Sequence, residues 1–514
     1  MRKSLLIVLS VIMIAVIVTA CSGGGNNTPQ NTNTGGAEPT ETNTNANVNQ
    51  PEDDGEKPVL RQLMQYNRFD PNDYYVGTFL KEATGYEVKY DQLPVENFDE
   101  KLNLLMANQE PYDFMKLNPI QFAHLASSGA LEPLDELVET YGTNMKQVIS
   151  ESSWNGAKVN GQIMAIPESS ASGLTLGYAL LYRQDWLEEL NLQAPTNLDE
   201  LYNVLKEVKD KKNVIPMTGG KDPFQGEIGS ALGWDYGLDT QFKEQDGKII
   251  HMVEDPTTKD YLAYMNKLYT EGLLDAEWAI NQSNTLIEKF TGGKAFMYRE
   301  GWWNAANINN AMATNFPDAK IGILPYLKDS EGNASARASG GITFYIAIPK
   351  WAPNKEEAMK YLDLKLDEEI FKEATIGKEG VHHEVQDGKY FPILPIFDDQ
   401  YNFGSDYLTG NDEEKYPVYW QARVRKNEFV QNYFETFQEN GKDIMYYDAL
   451  TFAPPIENIS KHKQKLHKYV EDEFIKFITG AESLDNYDRF VEQWRADGGD
   501  EMIQAANDWF ATVQ

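Results

Sequence analysis

The chain reads Val59-Leu60-Arg61-Gln62-Leu63-Met64, then Tyr86-Glu87-Val88-Lys89-Tyr90, then Tyr112-Asp113-Phe114-Met115-Lys116-Leu117. Each run has the length and apolar or alternating pattern of a strand. Between the first two, Tyr75 to Thr84 has helical spacing and stops at Gly85. Between the second and third, Phe98 to Asn108 repeats Leu102, Leu105 and Met106 behind an acidic start at Asp99-Glu100. Gln121 to Ser127 then reads as a short helix ending at Gly129. Strand, helix, strand, helix, strand predicts a parallel sheet covered by helices, so the first lobe is α/β.

The same logic recurs further along. Leu180-Leu181-Tyr182 reads as a strand and Arg183 to Leu190 as a helix. Pro195-Thr196-Asn197-Leu198-Asp199-Glu200-Leu201 reads as a helix start, with Thr196 as the cap and Glu200 in the first turn. Val214 to Met217 is a strand, Thr257 to Gly272 and Asn284 to Thr291 are helices, and Lys294 to Tyr298 is another strand. No period of 20–50 residues is visible, which argues against a solenoid.

Towards the N-terminus, Met1-Arg2-Lys3 precedes an apolar run from Leu5 to Val18 broken only by Ser10. A bilayer-spanning helix needs about 20 apolar residues, so residues 1–20 read as a signal peptide. The run ends Val18-Thr19-Ala20-Cys21, and Cys21 is the single cysteine of the chain. A lone cysteine is otherwise a small buried hydrophobe; here it stands between an apolar run and a Gly/Asn/Thr/Pro tract. Residues 22–58 bury too little to offset their ordering entropy. As a tether they would reach on the order of 35 Å. Without Cys21, no disulfide, cysteine nucleophile or thiolate metal site is left for the rest of the chain.

Aspartate and glutamate number 79 against 46 lysines and arginines, a net charge of −33. Phosphate recognition needs clustered cations, so a nucleic-acid partner is not expected. Direct docking on anionic lipid is disfavoured for the same reason. Aromatic residues make up 12% of the chain, with 10 Trp and 28 Tyr.

Several segments resemble the extracellular solute-binding family 1, within it the long lipoproteins of Gram-positive bacteria. They are Gly161-Gln162-Ile163-Met164-Ala165-Ile166-Pro167, Leu181 to Leu190 with Pro195 to Leu201, Phe290 to Met297 followed by Gly301-Trp302-Trp303, Gly340 to Pro349 with Asn354 to Leu362, Gly377 to His383, and Phe477-Ile478-Thr479-Gly480. The order and spacing of these segments carry the resemblance across nearly the whole chain after the tether. Val18-Thr19-Ala20-Cys21 resembles a bacterial lipobox, with Val18 where Leu is usual. That implies cleavage and a diacylated Cys21, two acyl chains giving stable anchoring.

The resemblance implies a type II periplasmic-binding-protein-like fold of two lobes, each a β-sheet flanked by helices, joined by a hinge of crossing strands. The boundaries it implies are residues 59–170 and 295–342 for the N-terminal lobe. Residues 171–294 and 343–514 then form the C-terminal lobe, with a helical extension. It further implies a monomeric receptor of an ABC importer on the outer face of the cell membrane. Such a receptor binds a small molecule between its lobes and presents the closed form to permease subunits.

Sugar rings offer apolar faces and hydroxyl edges, recognised by aromatic planes and by charged or amide side chains. Trp302 and Trp303 follow a strand and a glycine, so they are expected at a strand-to-helix turn facing the cleft; Trp303 matches the family's aromatic platform best. Trp234 and Tyr236, in Gly233-Trp234-Asp235-Tyr236-Gly237, are expected as ligand contacts in a second-lobe loop, since a glycine-flanked loop is a poor place to bury Trp purely for packing. Tyr66 and Arg68 follow the first strand and Asn118 the third, at the sheet edge where open α/β sheets bind ligands. Glu168 follows Gly161 to Pro167, which by the resemblance is the strand crossing from the first lobe to the second. Against each contact stands core packing, or, for Arg68, solvation.

His382 and His383 are adjacent, so on a strand they face opposite ways, and His462 and His467 are off-face on a helix; no metal and no cofactor is expected. Gly-x-Ser-x-Gly, His-Glu-x-x-His and Gly-x-Gly-x-x-Gly are not found. The expected function is therefore capture of a carbohydrate, an oligosaccharide, without catalysis. The alternatives are a secreted enzyme acting on polysaccharide, since two carboxylates suffice for glycoside hydrolysis, and a peptide or polyamine receptor on the same fold.

Overall fold

Leu60, Leu63 and Met64 are at most 1% exposed, because the Leu60–Met64 strand lies between two others and is covered on both faces. The computed structural model describes residues 57–237 and 241–513; the expected signal peptide, Cys21 and nearly all of the expected tether lie outside them. The first sheet has five strands in the order Val88–Gln92, Leu60–Met64, Phe114–Leu117, Ile342–Ala347, Ile166–Ser169. The first three run parallel, with Leu60 opposite Val88 and Gln62 opposite Phe114. Ile342–Ala347 is antiparallel to both of its neighbours.

The helices between the parallel strands follow their apolar spacing. Tyr75–Thr84 buries Val76, Leu80 and Thr84 and ends at Gly85, whose φ of 72° is the left-handed cap that glycine adopts freely. Phe98–Ala107 buries Leu102, Leu105 and Met106. One core cluster lies on each face of the sheet.

The second sheet has four strands in the order Ile321–Leu324, Tyr178–Arg183, Ala295–Gly301, Ile215–Met217. The helix expected after Pro195 spans Leu198–Lys212 and buries Leu201, Val204, Leu205 and Val208. Its cap is Asn197, which accepts from the Glu200 N–H at 2.9 Å. Thr196, expected as the cap, instead donates its N–H and hydroxyl to the Glu200 carboxylate at 2.8 and 2.9 Å. Among the described residues, no helix is long and apolar enough to cross a membrane.

The lobe boundaries expected after residue 294 are corrected by the pairing. Ala295–Gly301 is antiparallel to Tyr178–Arg183 with Met297 opposite Tyr182, and Ile321 stands opposite Arg183. Both strands therefore belong to the second lobe, not the first. Ile342–Ala347 returns to the first sheet, and Ala358, Met359, Tyr361, Phe371, Phe397 and Tyr416 join that lobe's core. The chain comes back later: Tyr433 and Phe437 and then Leu466, Phe474 and Trp494 pack in the second lobe. A strand's apolar pattern states that it is buried but not which sheet it joins; only register across a long sequence separation decides that.

Candidate ligand-binding cleft

The strand Ala295–Gly301 ends in Gly301-Trp302-Trp303 and leads through a single turn at Trp302–Asn304 into the helix Ala305–Asn315. A Cβ on Gly301 would stand 2.3 Å from the Trp303 ring, so only glycine lets the indole fold back over the strand end. Trp303 remains 45% exposed. Its ring meets Tyr178 edge-on at 5.0 Å and Trp302 edge-on at 5.4 Å. Beneath Tyr178, the Arg299 guanidinium lies 3.9 Å from the ring centre. Arg299 Nε donates to both Glu227 carboxylate oxygens, at 2.9 and 2.8 Å. Burial alone would lower the Arg299 pKa, but the nearby Glu227 and Asp222 carboxylates raise it. Gly177, Tyr178, Glu227, Arg299, Tyr326 and Arg337 line a small niche beside this stack.

Trp302 is half-buried and edge-on to Trp420 at 6.0 Å and to Phe434 at 5.3 Å. Phe434 also lines a concavity of about 950 Å³ that opens beside the crossing segment, with Ser170, Gly173, Pro417 and Gln421 on its walls. A second concavity, of about 880 Å³, is lined by Ile120, Phe242, Ile342, Leu450, Pro454 and Ile459.

In the first lobe, Tyr66 is 49% exposed and Arg68 is exposed, both just beyond the Leu60–Met64 strand. Asn118 follows the third strand, but its side chain caps the helix Pro119–Ser127. Its oxygen accepts from the Gln121 N–H at 2.9 Å while Gln121 returns a bond to the Asn118 N–H. Capping explains that residue type without a ligand.

Three expected contacts are corrected. Glu168 is 6% exposed and accepts from Lys116 Nζ at 2.8 Å. Burial pushes its carboxyl up, opposed by Lys116; it is a buried ion-pair partner rather than the ligand contact expected.

Trp234 and Tyr236 are both 0% exposed. Trp234 stacks on Tyr261 and donates its indole N–H to Thr258 Oγ1 at 3.1 Å; the Tyr236 hydroxyl donates to Asp255 Oδ2 at 2.9 Å. The flanking glycines serve geometry, not exposure. Gly233 has φ 69°, and a Cβ on Gly237 would collide with Arg337.

His382 accepts from the Lys378 N–H at 2.9 Å and His383 Nδ1 bonds the Ile376 carbonyl at 3.0 Å. Among the described residues, no group of three or more His, Cys, Asp or Glu is placed to hold a metal ion.

The sequence reading missed Tyr178, Arg299, Glu227 and Trp420. Arg299 carried a signal, a cation beside Glu300 after the apolar run that opens its strand. The other three did not, because their partners are remote in sequence.

Residues 70–369 match the model of a family described as bacterial extracellular solute-binding protein. The chain belongs to that family. Among the relatives of this solute-binding protein is "Lipoprotein LipO" of Bacillus subtilis (strain 168). It is 26% identical over 451 residues, which cover 83% of this chain and 87% of that one. Another is "Polygalacturonan/rhamnogalacturonan-binding protein YtcQ" of the same organism, 23% identical, covering 87% and 89%. Among solved structures, the Streptococcus pneumoniae ABC-transporter substrate-binding protein FusA in complex with kestose is similar, with a TM-score of 0.64 at 17% identity, covering 89% and 99%. The two-lobed fold of this solute-binding protein is thus shared with that structure.

Proposed function

We propose that this protein is the surface receptor of an ABC importer, capturing an oligosaccharide between its lobes and presenting it to the permease by closure. The observation that carries the reading is Trp303, an exposed indole braced edge-on by Tyr178 at the end of a strand. A large aromatic face held rigidly in water loses little entropy when a sugar ring stacks on it. Family membership and the naming of YtcQ for a polysaccharide support a carbohydrate as the ligand, without fixing its charge. Contacts made from both lobes exist only in the closed form, so ligand shifts the hinge equilibrium. The receptor is read as a monomer that binds without turnover.

Cys21 is read as the anchor, cleaved and diacylated, holding the receptor at the outer face of the membrane. LipO, a relative named as a lipoprotein, is consistent with this. Labelling cells with a fatty-acid probe tests it: label is expected on the wild type and lost in Cys21→Ala, and equal label on both would refute the anchor.

The test of function is a panel of plant and microbial oligosaccharides screened by thermal shift, since a ligand selective for the folded state raises the melting temperature. One-to-one binding with recovery of the unchanged sugar is expected. Catalytic cleavage above background would assign an enzyme instead.

A further inference from the structure

We infer, building on the oligosaccharide reading, that the sugar ring lying on Trp303 is uncharged, and that Arg299 is a positioning residue for this platform rather than a receptor for a sugar carboxylate. A uronate is recognised by an arginine whose fork of donors is open to solvent. The Arg299 side chain is 11% exposed and that of Glu227 10%. Its Nε already reaches both Glu227 oxygens, and its guanidinium plane lies over Tyr178.

A sugar carboxylate arriving here would meet a guanidinium already paired with Glu227 through Nε; competing for it would weaken that buried pair, and a buried carboxylate that loses its partner is strongly unfavourable. The local charges leave no surplus of cations, since Glu300 beside Arg299 adds a third carboxylate. Arg299 and Arg337 face Glu227 and Asp222, whose carboxyl feels both arginines. The order Glu227, Arg299, Tyr178, Trp303 is then a brace: the carboxylate fixes the guanidinium, the guanidinium fixes the phenol ring, and the phenol ring holds the indole edge-on. Arg68 and Lys221 are exposed on loops that follow strands of either lobe, so the inference concerns the ring at Trp303 and not the rest of a longer ligand.

Calorimetry on the purified protein at neutral pH separates the possibilities. Two probe sets are used: neutral manno-, galacto-, xylo-, arabino- and fructo-oligosaccharides, and oligogalacturonates of two to six units, in which every ring is charged. A neutral sugar is expected to bind, with every oligogalacturonate at least about tenfold weaker. Glu227→Gln removes the carboxylate that occupies Arg299. That variant is expected to bind oligogalacturonates about tenfold more tightly than the wild type does, the scale of one hydrogen bond to a charged group, while losing affinity for the neutral sugar.

An oligogalacturonate as the tightest wild-type ligand would overturn the inference and leave the receptor reading standing. Binding of neither set would overturn both. A folded Glu227→Gln protein with no gain for oligogalacturonates would overturn the role given to Arg299. If that variant does not fold, the wild-type comparison alone still decides the ring's charge. Arg299→Lys, which keeps the charge but not the planar stack on Tyr178, should then weaken neutral-sugar binding; unchanged affinity would refute the brace.

Discussion

Trp234 lies flat on Tyr261, with ring centroids 3.8 Å apart and planes 3° from parallel. The pair is sealed from solvent inside the second lobe, whereas Trp303 stands half in water at the strand end. Two tryptophans that look alike in sequence therefore make opposite predictions.

Trp234→Ala should destabilise the fold by about 3–5 kcal/mol, the usual cost of emptying a buried aromatic site, and leave the affinity of the surviving folded protein unchanged. Urea denaturation with a binding titration on the same sample reads both. A variant as stable as the wild type would return Trp234 to the list of ligand contacts.

Trp303→Ala should do the reverse. Loss of one stacking face is worth about 1–3 kcal/mol by analogy with bases on aromatics, or roughly ten- to hundredfold in affinity, with a much smaller change in melting temperature. An early-melting variant that binds normally would assign the indole to packing.

Asn118→Ala should cost about 1 kcal/mol of stability, as expected for a lost helix cap, because the Asn118 oxygen serves the Gln121 N–H. Asn118→Ser should recover most of it. A large loss of affinity without destabilisation would show that the amide faces the ligand instead.

Lys116 and Glu168 should behave as one unit. Removing a single partner of a buried pair costs about 3–5 kcal/mol, while replacing both by apolar residues is often neutral. Lys116→Met and Glu168→Leu are each expected to be strongly destabilising, and the double variant less so than their sum. Simple additivity in the denaturation cycle would argue that the two act separately.

His251 gives the pH dependence. It is 2% exposed and stacks on Trp494, and burial lowers its pKa from 6.5 to about 3. Between those values the unfolded chain binds a proton that the folded chain refuses, so this contribution to stability rises with pH across the window and is lost as the medium is acidified below about 6.5. Melting temperatures at pH 7 and pH 5 should differ less in His251→Gln than in the wild type. An equal difference in both proteins would place the acid sensitivity elsewhere.

The first sheet was legible because its three parallel strands and intervening helices are local, and short-range spacing carries them. The helix Tyr75–Thr84 begins and ends where its apolar repeat and Gly85 place it. Lobe membership after residue 294 was not legible, since Ala295–Tyr298 would satisfy either sheet equally well. At the site, the glycine before Trp302-Trp303 marked a turn correctly. The same residue type around Trp234 and Tyr236 marked close packing. Glycine reports what the backbone needs, and in one case that need exposes an indole while in the other it buries one.

The place of Ile342–Ala347 between Phe114–Leu117 and Ile166–Ser169 sets a timetable. As the chain emerges in order from its N-terminus, Ile166–Ser169 has no neighbour in its sheet and Phe114–Leu117 remains an open edge until residues some way past the middle of the chain arrive. No amino-terminal fragment ending before Ile342 is a finished lobe. Such a fragment would carry two unpaired strand edges, the kind that attract other chains. The last assembly step waits on the longest sequence separation in the sheet, which slows folding. During synthesis the second lobe waits longer still, because its core needs Leu466 to Trp494 while the first lobe's core is complete at Ala422: the first half of the receptor closes before the second.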